Sequence, residues 1–434
     1  MFDHQHNLTS SGLDVLQIPM PGVKSATVMV MVNTGSRYEQ PREEGIAHFF
    51  EHMVFKGTKK YPDPQKLAAT IDGLGADFNA FTSKEYTGYY VKAAAKHLNT
   101  ALDVVSDMLL SPKLRQEDID REKNVIIEEI NMYQDTPMRY IGQLFEQMFF
   151  GSSGLSHDVL GSKQTVSQID RSDFQRFIQQ WYGLGNMVVV VAGDDSIVGT
   201  KKCSDEIQRA FGKKPESVRP KDKVKINKVI SGKNPISSKR LHLQTKATEQ
   251  AHFVLGWPGL ERSSPSRYAL TVLSTVLGGN MSSRLFTEVR EKRGLCYYVH
   301  SDTDFFHDAG VFGASAGVDP SRVQEALEVI IAEFHAISNN KNPVTKQELA
   351  KAKEYLTGSM ILSLEDSLSV AQYFGTKRLL TGEIESPESA LAKIQAVTLS
   401  DVMSIAEQLI TPDGVRLALI GPYDDKKDFE KFIA

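Results

Sequence analysis

Cysteine is nearly missing from this chain: Cys203 and Cys296 are the only two in 434 residues. They lie far apart and fit no CxxC spacing, so no disulfide framework and no cysteine metal site is implied, and reduced thiols are expected. Long apolar runs are missing too. The longest, ATVMVMV and MVVVVA, are strand-length and fall far short of the roughly 20 residues that span a bilayer. The start, MFDHQHNLTSSGLDVLQIPMPGVK, has neither the charged head and apolar core of a secretion signal nor an Arg-rich presequence. Charge of one sign is also lacking, since 50 Lys and Arg stand against 54 Asp and Glu for a net charge of −4. Such a balance offers no broad basic field for a phosphate backbone. A soluble, cytoplasmic protein without nucleic-acid or membrane partners is expected.

What is present is a globular composition, 41% apolar and 24% charged, in a chain long enough for more than one core. The same order of elements occurs twice. The strand SATVMVMVNTGSRYE leads to a helical stretch at 43–56, the strands GADFNAFTSKEYTGYYVKAA, the helix HLNTALDVVSDMLL, a loop with Pro112 and a long helix at 116–134. The second round runs from AHFVLGWPGLER through SRYALTVLSTVLGG, LCYYVHSDTDFFHDAGVFGASAGV and SRVQEALEVIIAEFHAI to a loop with Pro343 and the helix KQELAKAKEYLTGSMI. Residues 212–240, rich in Lys, Pro and Ser, read as a linker with room for one edge strand. Two halves, 1–225 and 226–434, are therefore expected.

The first half contains GIAHFFEHMVFKGT, which sets His48, Glu51 and His52 into an apolar run. In a helix His52 lies roughly 40° to one side of His48 and Glu51 roughly 60° to the other, so all three share a face. Two imidazoles at i and i+4 can chelate Zn²⁺, with the carboxylate beside them. Shuffling 11 His and at most 54 acids over 434 positions gives under about 0.04 matches to this pattern. In the repeat the equivalent positions are Leu270, Leu273 and Ser274, so packing alone does not call for the polar set.

A third ligand is offered by IDREKNVIIEEINMY, residues 119–133. Helix phase puts Glu122 and Glu129 at the border of the stripe formed by Ile119, Ile126 and Ile130, and turns Glu128 to the opposite side. A carboxylate bordering a core needs a partner. Glu129 is accordingly the expected ligand, with Glu122 orienting a histidine from behind. The tail histidines His4 and His6 read as part of an exposed, flexible terminus.

These residues resemble the pitrilysin/insulinase family of zinc peptidases, the inverzincins, and in particular its short-chain branch, which includes the mitochondrial processing peptidase and its bacterial relatives. The family pattern HxxEH, 76 further residues, then Glu fits His48, Glu51, His52 and Glu129. NAFTSKEYTGYY is similar to the family's active-site edge strand, and RLFTEVREKRGLCYYV to its second-half motif, with Arg290 and Tyr297 seven residues apart.

The resemblance implies an α+β fold of two related halves, each an antiparallel sheet backed by helices, enclosing a chamber. It implies one Zn²⁺ per chain, Glu51 as general base, and peptides bound as an added strand beside Asn79, Ala80, Phe81 and Thr82. It also implies that Tyr297 and Arg290 act on the substrate from the second half. Because one chain holds both sets, a homodimer is expected before pairing with a related second chain. The rivals are a catalytically silent scaffold or processing-complex subunit of the same fold, and a structural zinc protein.

Overall fold

The computed structural model describes residues 2–9, 11–212 and 236–434. Most of the expected linker, with the boundary expected near residue 225, lies outside the described residues. The chain forms two compact units. Among the described residues the first takes the chain up to 130, then 157–212 and 361–387, and the second takes 131–156, 236–360 and 388–434. No helix among the described residues is long and apolar enough to cross a membrane.

The first unit is built on β1 (Gln5–Leu8), β2 (Asp14–Met20), β3 (Ser25–Val32), β4 (Asp77–Thr82), β5 (Thr87–Ala94) and β6 (Met187–Asp194). They lie in the order β1-β2-β6-β3-β5-β4, with β2 and β6 parallel and every other neighbour antiparallel. β3 and β6 read SATVMVMV and MVVVVAGD, nearly unbroken apolar runs of strand-forming residues. Such runs suit central strands covered on both faces. Helix Leu98–Leu110 packs on β3 and β5, and helix Ser367–Thr381 packs on β2, β3 and β6. The latter lies close: a Cβ on Gly375 would sit 2.6 Å from the Met31 sulfur, and the Ser367 and Thr27 hydroxyls are 2.9 Å apart.

The second unit is built on β7 (Leu241–Thr245), β8 (Ala251–Pro258), β9 (Cys296–Phe305), β10 (Gly310–Val318) and β11 (Arg416–Gly421), in the order β7-β11-β8-β10-β9. Again one pair, β7 with β11, is parallel, and the rest are antiparallel. Phe253, Leu255 and Trp257 of β8 point into a core shared with helices Arg267–Gly278 and Val323–Ser338, where Trp257 stacks on Phe334 at 4.7 Å. Val254 points the other way, into a smaller core with Phe145 and Phe149 of helix Pro137–Phe150. This is the alternation a strand covered on both faces requires.

Strand for strand, β2, β6, β3, β5 and β4 correspond to β7, β11, β8, β10 and β9, and the α+β duplication expected from the sequence is present. Two details differ from expectation. Each sheet contains one parallel pair. The amino-terminal tail is not loose: Gln5–Leu8 pairs with β2, and His6 bonds Asp14 at 2.8 Å. The backbone ladder supplies the order that composition alone did not suggest.

Candidate metal centre

Helix Ile46–Met53 carries the HxxEH residues. Its buried side, Phe49, Phe50 and Met53, is locked by aromatic contacts: Phe49 meets Phe174 edge-on at 5.0 Å and Phe50 meets Tyr182 at 4.6 Å. The helix starts at Gly45, whose φ of 92° is left-handed and whose Cα faces the Leu160 carbonyl so closely that a Cβ would lie 2.6 Å from it. Only glycine suits such a position. His48 and His52 then project from the edge of the apolar face.

The long helix Gln116–Gln134 supplies the carboxylates. Ile119, Ile126 and Ile130 are buried, Glu122 is buried beside them, Glu129 is half-buried and Glu128 is exposed. Glu129 Oε2 lies 3.7 Å from His48 Nε2 and 3.5 Å from His52 Nε2. One ligand atom from each of the three lies within 4.8 Å of the others, the only such group of three or more among the described residues. Donors about 2.0–2.1 Å from a tetrahedral Zn²⁺ stand roughly 3.3–3.4 Å apart. The observed spacings are close to that and too long for hydrogen bonds, so the residues fit a zinc ion.

Burial and neighbours set the protonation of these groups. His48 is held at about 3, first by burial and then by the charge of His52, so its imidazole is neutral and its lone pair available. Glu51 is raised by burial, against the pull of a 2.5 Å bond donated by Thr82 Oγ1. Burial also raises Glu129. Burial pushes Glu122 the same way, yet bonds from His52 and Lys56 outweigh it and its acidity is increased. Glu122 Oε1 accepts from His52 Nδ1 at 2.9 Å and its Oε2 faces Lys56 Nζ at 2.6 Å. This fixes the His52 tautomer with Nε2 towards Glu129. His48 has no such support: its Nδ1 is buried and has no hydrogen-bond partner among the described residues.

Asn79, Ala80, Phe81 and Thr82 lie on β4, the edge strand, which among the described residues pairs with β5 alone. Thr82 touches Glu51, as above, and the Ala80 amide is met by the Asn79 side-chain oxygen at 2.9 Å. In the second unit Arg290 and Tyr297 are brought together. Arg290 sits in a π-helical turn, Phe286–Glu291, lies over the Phe286 ring at 5.0 Å and donates to the Tyr297 carbonyl at 2.8 Å. Tyr297 is 72% exposed. Sequence reasoning missed Lys56 and Glu39, which hold Glu122 and the helix start. Both act through space, and no local spacing signals either.

Residues 15–162 match the family described as Insulinase (Peptidase family M16), and residues 168–356 match the Peptidase M16 inactive domain. An uncharacterized zinc protease of Streptomyces coelicolor is 38% identical over 419 residues, 96% of this chain and 89% of that protein. One from Bacillus subtilis is 35% identical over 412 residues, covering 95% and 97%. A solved structure described as a protease from Helicobacter pylori superposes with a TM-score of 0.86 at 23% identity, covering 97% of this chain and 100% of that one. The last likeness is one of fold.

Proposed function

The chain belongs to the M16 (insulinase) peptidase family, and on that premise we propose that it is a zinc-dependent endopeptidase with Glu51 as its general base. The observation that carries the reading is the convergence of His48, His52 and Glu129 within 4.8 Å, with His52 fixed from behind by Glu122. His48, His52 and Glu129 would hold a zinc ion, which when bound would supply Lewis acidity and make water a readier nucleophile. Glu51 takes the proton of the attacking water. Thr82 occupies its Oε2, which leaves Oε1 for that proton and for its delivery to the leaving nitrogen. Burial raises the proton affinity of Glu51, which suits a base that must take the proton.

The peptide lies along the open edge of β4 as an added strand, its main chain paired with residues 79–82 and its alternate side chains in pockets. Arg290 and Tyr297 hold the substrate or its developing oxyanion, a role supported by the family resemblance of their motif. One zinc per chain, a homodimer and a cytoplasmic site of action belong to the same reading.

Removing metal with a chelator should abolish cleavage of an unstructured peptide, and added zinc should restore it. Glu51→Gln should keep its zinc and lose turnover by at least about 100-fold, because a base and no ligand is removed. Near-normal turnover by this variant would refute the assignment of the base.

A further inference from the structure

Helix Ile46–Met53 has eight residues, and a helix so short does not hold its shape alone. Its cap residue, Gly45, provides no side chain for the free amides at its start. Glu39 meets them from outside the helix: its Oε2 accepts from the Gly45 N–H at 2.7 Å and its Oε1 from the Ala47 N–H at 2.8 Å. Glu39 is only 6% exposed. A buried carboxylate with both oxygens committed to one helix start is an expensive feature that ordinary packing does not need.

The segment that carries Glu39 is tied elsewhere as well. The Ser36 amide donates to the Ser83 carbonyl at 3.2 Å and the Arg37 amide to the Lys84 carbonyl at 2.9 Å. Arg37 and Glu85 form an ion pair at 2.6 Å with side chains 2% exposed. Gly35 lies against the same stretch, where a Cβ would be 2.2 Å from the Ser83 carbonyl oxygen. Ser83 follows Thr82, the donor to Glu51. One buried segment thus joins the start of the HxxEH helix to the end of the edge strand. His48 depends on that join more than His52 does, since its Nδ1 has no hydrogen-bond partner among the described residues.

We propose that Glu39 is a positioning residue of the metal centre, fixing the first turn of the HxxEH helix and so the direction of His48, while Arg37 and Glu85 fix the end of β4 to the same segment. The inference rests on the reading of His48, His52 and Glu129 as zinc ligands. Glu39→Gln preserves size but turns an amide NH₂ towards one of the two backbone donors. Its zinc affinity, read by competition with a chromogenic chelator, should fall about tenfold or more. The visible bands of the Co²⁺-substituted chain should shift, as they report ligand geometry. Val190→Ala, a cavity in β6 on the side that faces Gly375 of helix Ser367–Thr381, should lower the melting temperature while leaving affinity and spectrum unchanged. Wild-type affinity and spectrum in Glu39→Gln, or an equal change in Val190→Ala, would overturn the inference. The unsubstituted, metal-free chain gives a second reading: hydrogen exchange at the Gly45 and Ala47 amides should be slow, and open-chain rates there would also overturn it. If the wild-type chain takes up no zinc, the ligand reading fails and this inference with it. Normal wild-type uptake with an indifferent Glu39→Gln defeats the inference alone.

Discussion

Helix Ile46–Met53 in the first unit and helix Arg267–Gly278 in the second stand beside corresponding edge strands, β4 and β9. Where the first has His48, Glu51 and His52, the second has Leu270 and Leu273, both fully buried, and Ser274 at 6% exposure. This helix too is tied to its edge strand by a hydrogen bond, Ser274 to Ser301 at 3.0 Å, but from the position equivalent to His52 and not from that of Glu51. The second unit shows what the frame needs for stability, and it needs no imidazole. The polar set of the first unit, with Glu122, Lys56 and Glu39 gathered around it, is therefore an addition made against the desolvation cost of charge. The match of residues 168–356 to the family's inactive domain agrees with that contrast.

The contrast can be broken most directly by writing the second unit's residues into the first. His48→Leu with His52→Ser should remove zinc and lower turnover by at least about 1000-fold, since two of three ligands are lost. The fold should survive, as the second unit tolerates these side chains. Retained metal in a titration, or collapse seen by circular dichroism, would break the comparison. Next in size is the choice between neighbours on the long helix. Glu129→Gln should weaken zinc binding by about 100-fold, while Glu128→Gln changes it by less than about twofold, because only the first faces the histidines. The reverse ranking would show the ligand to be misassigned.

A smaller effect tests whether the second unit contributes to turnover. Tyr297→Phe and Arg290→Ala should each slow cleavage by about tenfold through poorer substrate positioning, with zinc content unchanged. Unaltered kinetics would leave the second unit a purely structural copy. The smallest concerns stability in that unit alone. Burial raises Glu348, but bonds from Arg284 and Thr345 outweigh it and bring it down to about 2 from an ordinary 4.5. The folded value is the lower one, so the stabilisation is present above the unfolded value near 4.5 and is lost as pH falls towards 2. Glu348→Gln should reduce the acid-induced drop in melting temperature by about 2 °C, a modest figure because the pair is partly solvated. Identical acid profiles for variant and wild type would remove this pair from the account.

The cluster of His48, His52 and Glu129 was legible because its signal is local or periodic. HxxEH is a single turn of sequence; helix phase together with the family spacing separated Glu129 from Glu128 and put Glu122 behind a histidine, which the structure identifies as His52. The strands were legible for the same reason, as the apolar runs of β3 and β6 show. Glu39, Lys56 and the bond of Thr82 to Glu51 were not, because each joins segments that sequence spacing does not connect. Nor does any pattern announce that residues 131–156 pack with the second unit and 361–387 with the first. The chain changes unit after Ile130 and after Met360, equivalent places when Glu129 is set against Ser359. That symmetry is visible only once the contacts are known.

The late return of helix Ser367–Thr381 to the first sheet has a consequence for how the chain is made. Thr27, Met29 and Met31 form one face of β3, fully buried in the finished unit, with Thr27 and Met31 in direct contact with that helix. All six strands of that sheet have been translated by Asp194. Roughly 170 more residues must leave the ribosome before the cover arrives, a wait of about 10 to 35 s at ~5–20 residues per second. During that interval the nascent sheet has a naked apolar side that invites a chaperone or a wrong partner. The half that holds the proposed metal ligands is thus the first to be begun, yet it stays open on one side until helix Ser367–Thr381 has been made.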